Sequence, residues 1–91
     1  MRVADRIRSK LEAGFKPVKL TVIDDSARHE GHAGARPEGE THFTIEIVSP
    51  AFAGLGRIER QRRIYAALAE ELAGPVHALS ITARAPEEAS S

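Results

Sequence analysis

The chain has 91 residues and a mass of 9.9 kDa, enough for one small domain but not for two separate cores. It contains no cysteine, which excludes a disulfide staple and a thiolate nucleophile or ligand and leaves its four histidines as the only strong soft-metal donors. Thirteen Lys+Arg balance thirteen Asp+Glu to a formal net charge of zero, which argues against holding nucleic acid by bulk charge, and 42% hydrophobic with 29% charged residues describes a globular chain.

From the start of the chain, Val3, Ile7, Leu11 and Phe15 recur every four residues and predict a helix stopped by Gly14 and Pro17. The period then changes to two. Val18, Leu20 and Val22 alternate with Lys19 and Thr21 in a first strand that Asp24, Asp25 and Ser26 terminate. A second strand runs from about Thr41 to Ser49, with Phe43, Ile45 and Ile47 on one face and His42, Thr44 and Glu46 on the other. Between them, Ala27 to Glu40 is polar, contains three glycines and is far longer than a hairpin turn, so it reads as a loop with a task.

Arg57 to Leu72 predicts a second helix, with Ile58, Ile64, Tyr65, Leu68 and Leu72 on its apolar side and Gly74 and Pro75 ending it. Val76 to Arg84 alternates again as a third strand, and residues 86–91 read as an acidic, flexible tail behind a domain of residues 1–85. The order helix, strand, strand, helix, strand implies an antiparallel pair joined by the long loop and a parallel pair joined by the helical crossover. The sheet is therefore three-stranded and mixed, with helices on one face. Its geometry brings His77 to the rim from which the loop carrying His29 and His32 springs.

No stretch approaches the roughly 20 apolar residues of a membrane span, and Arg2 directly after Met1 leaves no secretory core. The basic, amphipathic Arg2–Phe15 segment loosely resembles an organelle transit peptide. It carries Asp5 and Glu12, however, and its stripe is needed for the core. The expectation is a soluble cytoplasmic protein without a membrane partner.

Few residues form a chemical constellation. His77 shares the parity of Leu79 and Ile81 at the first turn of its strand; it is either a half-buried histidine bonded to a loop carbonyl or a metal ligand. His29 and His32 are separated by two intervening residues, a spacing at which imidazoles can share a metal or simply be solvated. His42 faces away from the helices and ranks last of the four as a ligand. Ser26, Ser49 and Ser80 lack an activating context, Asp24 and Asp25 point to opposite faces, and no phosphate loop or dinucleotide fingerprint occurs, so no enzyme activity is expected. Arg57, Arg60, Arg62 and Arg63 crowd the positive end of the second helix. They form a solvated face or dock an acidic partner or a phosphate backbone.

Taken together and in order, Ser26-x-x-His29, Glu40–Ser49 (ETHFTIEIVS), the RIYAALAEEL stretch and Gly74–Ile81 (GPVHALSI) resemble the BolA family. The resemblance covers about Arg6 to Ala85 and implies an α+β fold, a small class II KH-like domain. It further implies a monothiol glutaredoxin partner, forming a heterodimer with a chain that is monomeric alone. Between them the two proteins would hold a bridging 2Fe-2S cluster together with glutathione, with no cluster held tightly by the isolated chain. The family's C-terminal ligand histidine falls on His77, and its loop ligand on His29, with His32 as the alternative. Gln61 stands where the family commonly has histidine. A second implied role is DNA binding and transcriptional regulation through the arginine-rich helix.

Overall fold

A computed structural model describes residues 2–25 and 42–89. The first helix, α1 (Val3–Phe15), buries Val3, Ile7 and Leu11 at the predicted spacing. Its end differs in detail from the expectation. Gly14 remains helical, and Lys16 adopts the left-handed conformation (φ 46°, ψ 58°) while its N–H bonds the Glu12 carbonyl at 3.1 Å. Pro17 accounts for the helix not continuing through Lys16, because a residue before proline is driven out of the right-handed helical region.

Strands β1 (Lys19–Asp24), β2 (His42–Val48) and β3 (Ala78–Arg84) form one sheet in the order β1-β2-β3. β1 pairs antiparallel with β2 from Lys19↔Val48 to Asp24↔Phe43, and β2 pairs parallel with β3 from His42↔Ala78 to Val48↔Arg84. The sequence therefore predicts both the element order and the mixed sheet. Alternation puts Phe43, Ile45 and Ile47 into the core beside Val3, Ile7, Leu11, Phe52, Ile64, Leu68 and Val76. Ile45 at the middle of β2 is wholly buried, where truncation to alanine costs about 2–5 kcal/mol.

After β2, Ser49 caps a 3-10 turn over Pro50–Phe52. Its buried hydroxyl donates to the Phe15 carbonyl at 2.6 Å and accepts from the Ala51 N–H at 3.1 Å, so it ties the end of α1 to the end of β2. Helix α2 (Arg57–Ala67) and a short α3 (Ala69–Ala73) replace the single predicted helix, with a break at Leu68 (φ −106°, ψ 21°). Ile64 and Leu68, one turn apart, face the core. Ile58 is 72% exposed and Tyr65 42%, because both lie well off that line of residues and cannot share its face.

Two charged residues behave in ways that periodicity does not reveal. Glu71 is fully buried, with Lys10 Nζ hydrogen-bonded to Oε1 at 2.9 Å and Arg6 Nη2 2.9 Å from Oε2, the latter a charge contact without hydrogen-bond alignment. Burial pushes its carboxyl pKa up. The hydrogen bond from Lys10, the backbone and the charges of Lys10 and Arg6 outweigh that and hold it below the usual range. The tail also gains structure, since Pro86–Ala89 forms one helical turn, α4, where the sequence reading leaves a flexible segment. Proline at its start and Glu87 and Glu88 in its first turn favour that helix. No helix among the described residues is long and apolar enough to cross a membrane.

Candidate functional site

The two ends of β3 present different chemistry. At its start, Val76 is buried and its N–H bonds the Glu71 carbonyl at 3.0 Å, which fixes the turn leading out of α3. His77 follows immediately and is exposed rather than partly buried. It precedes the first ladder residue, so the strand's parity does not carry it under the helices.

His42 opens β2 directly across from Ala78, and its ring is nearly parallel to that of His77, with centroids 6.3 Å apart and planes inclined by 20°. Strand alternation correctly puts His42 on the face of Thr44 and Glu46 but does not show this proximity. The cross-strand register creates it. On the other side, the Asp25 N–H bonds the His42 carbonyl at 2.8 Å, and the Thr44 hydroxyl donates to the Asp25 carboxylate. Asp25 and His42 are the two ends of the long connection, so the loop springs from the rim where His77 stands. His29 and His32 lie outside the described residues.

At the far end of β3, about 20 Å away for a seven-residue strand, the chemistry is basic. Arg60 does not present its charge to solvent as the sequence reading allows: its side chain is 12% exposed and turned inward. Nε donates to the Leu55 carbonyl at 2.8 Å and Nη1 to the Ala83 carbonyl at 3.0 Å. Nη1 and Nη2 also reach the two Glu88 oxygens at 2.6 and 3.1 Å. Glu88 in turn accepts from the Ala85 N–H at 2.7 Å, capping α4. The Arg60 hydrogen bond and the Ala85 N–H push the Glu88 carboxyl pKa down to about 2, and the same contact raises that of Arg60.

Arg62 and Arg63 share Glu59 at 3.9 and 3.1 Å. Arg57 enters no ion pair among the described residues. It lines, with Arg60, Gln61, Thr82, Arg84 and Glu88, an open groove of about 560 Å³. Of the four predicted docking arginines, then, Arg60 is an internal clasp at the groove wall, Arg62 and Arg63 are partly neutralised, and Arg57 borders the groove with no ion pair among the described residues.

Comparison with known proteins adds a family. The family model described as BolA-like protein matches residues 11–88. The chain is 44% identical over 90 residues to "Protein BOLA1, chloroplastic" of Arabidopsis thaliana, covering 97% of this chain and 56% of that protein. It is 46% identical over 81 residues to "DNA-binding transcriptional regulator BolA" of Escherichia coli (strain K12), covering 89% and 73%. The solved structure of BolA1 from Arabidopsis thaliana matches with a TM-score of 0.86 at 42% identity, over 97% of this chain and 96% of that one. The chain spans little more than half the length of the plant relative found by sequence.

Proposed function

Because the chain belongs to the BolA-like family, we propose that it is a partner of a monothiol glutaredoxin and contributes histidine ligands to a shared 2Fe-2S cluster, in cluster assembly, trafficking or iron sensing. The observation that carries this reading is the exposed imidazole of His77 at the rim where the long loop is anchored. The donor set fits such a group. Imidazole replaces thiolate on one iron of some 2Fe-2S centres, and a chain without cysteine leaves the thiolates to glutaredoxin and glutathione. When bound, the cluster supplies electron storage and transferable iron and sulfide. This chain's part would be to hold His77 exposed just before β3, with His29, or His32 in its place, as the second ligand.

Mixing the protein with a monothiol glutaredoxin, glutathione, iron and sulfide should give a heterodimer with a visible spectrum distinct from that of glutaredoxin alone. His77→Ala should alter that spectrum, as should His29→Ala. If both variants reproduce the wild-type spectrum, the ligand assignment is wrong. His32→Ala then distinguishes a shifted loop ligand from no ligand at all.

A second reading, DNA binding, is favoured by the basic groove beside Arg57 and Arg84 and by the name of the bacterial relative. With Arg60 held by Glu88, phosphate contacts fall to Arg57, Arg62 and Arg63. Three such contacts predict a log-log salt slope of about −3. A salt-independent response or no binding removes this reading.

A further inference from the structure

We propose that the groove at the far end of β3 holds a bidentate phosphate seat on Arg60, which takes a nucleic-acid phosphate once the Glu88 carboxylate that fills it has moved away. The inference rests on the second reading above and names the contact that gates it. The seat begins with how Arg60 is held. Its Nε and Nη1 donate to the Leu55 and Ala83 carbonyls at 2.8 and 3.0 Å, so main chain fixes the plane of the guanidinium. Its outer edge, Nη1 and Nη2, meets the two Glu88 oxygens at 2.6 and 3.1 Å. Two N–H···O bonds from such a pre-placed fork are the geometry by which arginine recognises carboxylate and phosphate alike.

The surroundings favour an anion at this point. Arg57 and Arg84 line the same groove, over a floor that includes Leu55 and Ile81. The carboxyl seated there has its pKa pushed down to about 2, by the hydrogen bond from Arg60 first and then by the Ala85 N–H and the charge of Arg84. Acid therefore does not open the seat in the ordinary pH range; displacement of the turn does. A phosphodiester chain suits the arrangement better than a lone carboxylate, because the cations continue along α2 to Arg62 and Arg63 and a repeating anion can use several of them.

The present occupant is easily moved. Glu88 belongs to α4, a single turn of four residues that buries none of them, and its side chain is 45% exposed. An ion pair that open to water adds little to stability, and Arg60 keeps both carbonyl bonds without it. While α4 stays in place, its tethered carboxylate competes with external phosphate at high effective concentration.

The test is the salt dependence of binding to a mixed-sequence DNA duplex, with the full chain. The wild type, with Glu88 in place, should show the slope of about −3 given above. Glu88→Ala should gain one phosphate contact and steepen the slope by about 0.9, so that raising salt from roughly 50 to 200 mM loses about 3.5-fold more affinity than in the wild type. Glu87→Ala removes the same charge from the same turn and should keep the wild-type slope. The Arg60 Nε–H signal should shift on duplex addition in Glu88→Ala and not in the wild type, and circular dichroism establishes that both variants fold. A wild-type slope in Glu88→Ala, or equal steepening in Glu87→Ala, overturns the proposal and leaves the DNA reading standing. If none of the three proteins binds the duplex, both fall.

Discussion

The two ends of β3 meet the solvent in opposite ways. Near Arg84, a guanidinium is enclosed by two main-chain carbonyls and a carboxylate of the same chain. At the start, two imidazoles have ring centroids 6.3 Å apart, and one of them, His77, is exposed. The difference separates a charged group that stabilises the fold from an imidazole that the fold leaves exposed. An arginine whose donors are used internally contributes little to recognition until its partners are removed, whereas an outward histidine costs the fold little and stays available to a ligand.

The comparison can be broken most severely from beneath the histidine rim. Glu71 supports it twice, through carbonyl bonds to the Gly74 and Val76 N–H groups and through a buried carboxylate held by Arg6 and Lys10. Glu71→Gln leaves Arg6 without this counter-charge and Lys10 with only the more distant Glu70 at 3.6 Å, and should lower stability by about 3 kcal/mol in chemical denaturation, at the low end for a broken buried pair because Arg6 and Lys10 are partly solvated. The sign with pH follows. A carboxyl held below its usual pKa stabilises the fold above its unfolded value, and that contribution disappears as the pH falls through the folded one.

At the arginine end the next largest effect comes from Arg60→Ala. Two partly buried carbonyls, of Leu55 and Ala83, lose their donor at about 1 kcal/mol each, so stability should fall by about 2 kcal/mol and α4 should detach. Ser49→Ala removes the hydroxyl linking Phe15 to the 3-10 turn and should cost about 1–2 kcal/mol. The acid limit of the clasp sharpens the contrast further. With the Glu88 pKa at about 2 in the folded state, its contact with Arg60 persists far below the usual carboxylate range and is lost only as the pH approaches 2. NMR titration of the Glu88 carboxyl should give that low midpoint in the wild type and a higher one in Arg60→Ala, where the Ala85 N–H and the Arg84 charge are the remaining lowering influences.

The sequence carries these two ends to different depths. Spacing of four in α1 and alternation in β2 reveal the core, since helical and strand periods are local properties, and the element order then places His77 at the loop's rim. The rest depends on residues far apart in the chain. Glu71 reads as an ordinary solvated helix residue until Lys10, 61 positions away, is folded onto it, and Arg60 reads as a docking charge until Glu88 arrives from 28 positions downstream. The nearness of His42 and His77 is likewise a matter of register between strands that the pattern on either one does not contain. Even the helix break at Leu68 is invisible in periodicity, because Leu68 and Leu72 keep helical bonds to Ile64 and Leu68 across it.

The smallest expected effect on stability belongs to the residue expected to matter most for function. His77 is exposed, lies outside the ladder and makes a distant ring contact among the described residues, so His77→Ala should change the unfolding free energy by no more than about 0.5 kcal/mol. Denaturation of His77→Ala beside Arg60→Ala measures the contrast directly, with near-wild-type stability in the first and a clear loss in the second. A loss at His77 as large as that at Arg60 would mean that the rim is also a structural clasp. Wild-type stability combined with an altered spectrum in the glutaredoxin mixture is the result expected of a ligand that the fold presents without depending on it.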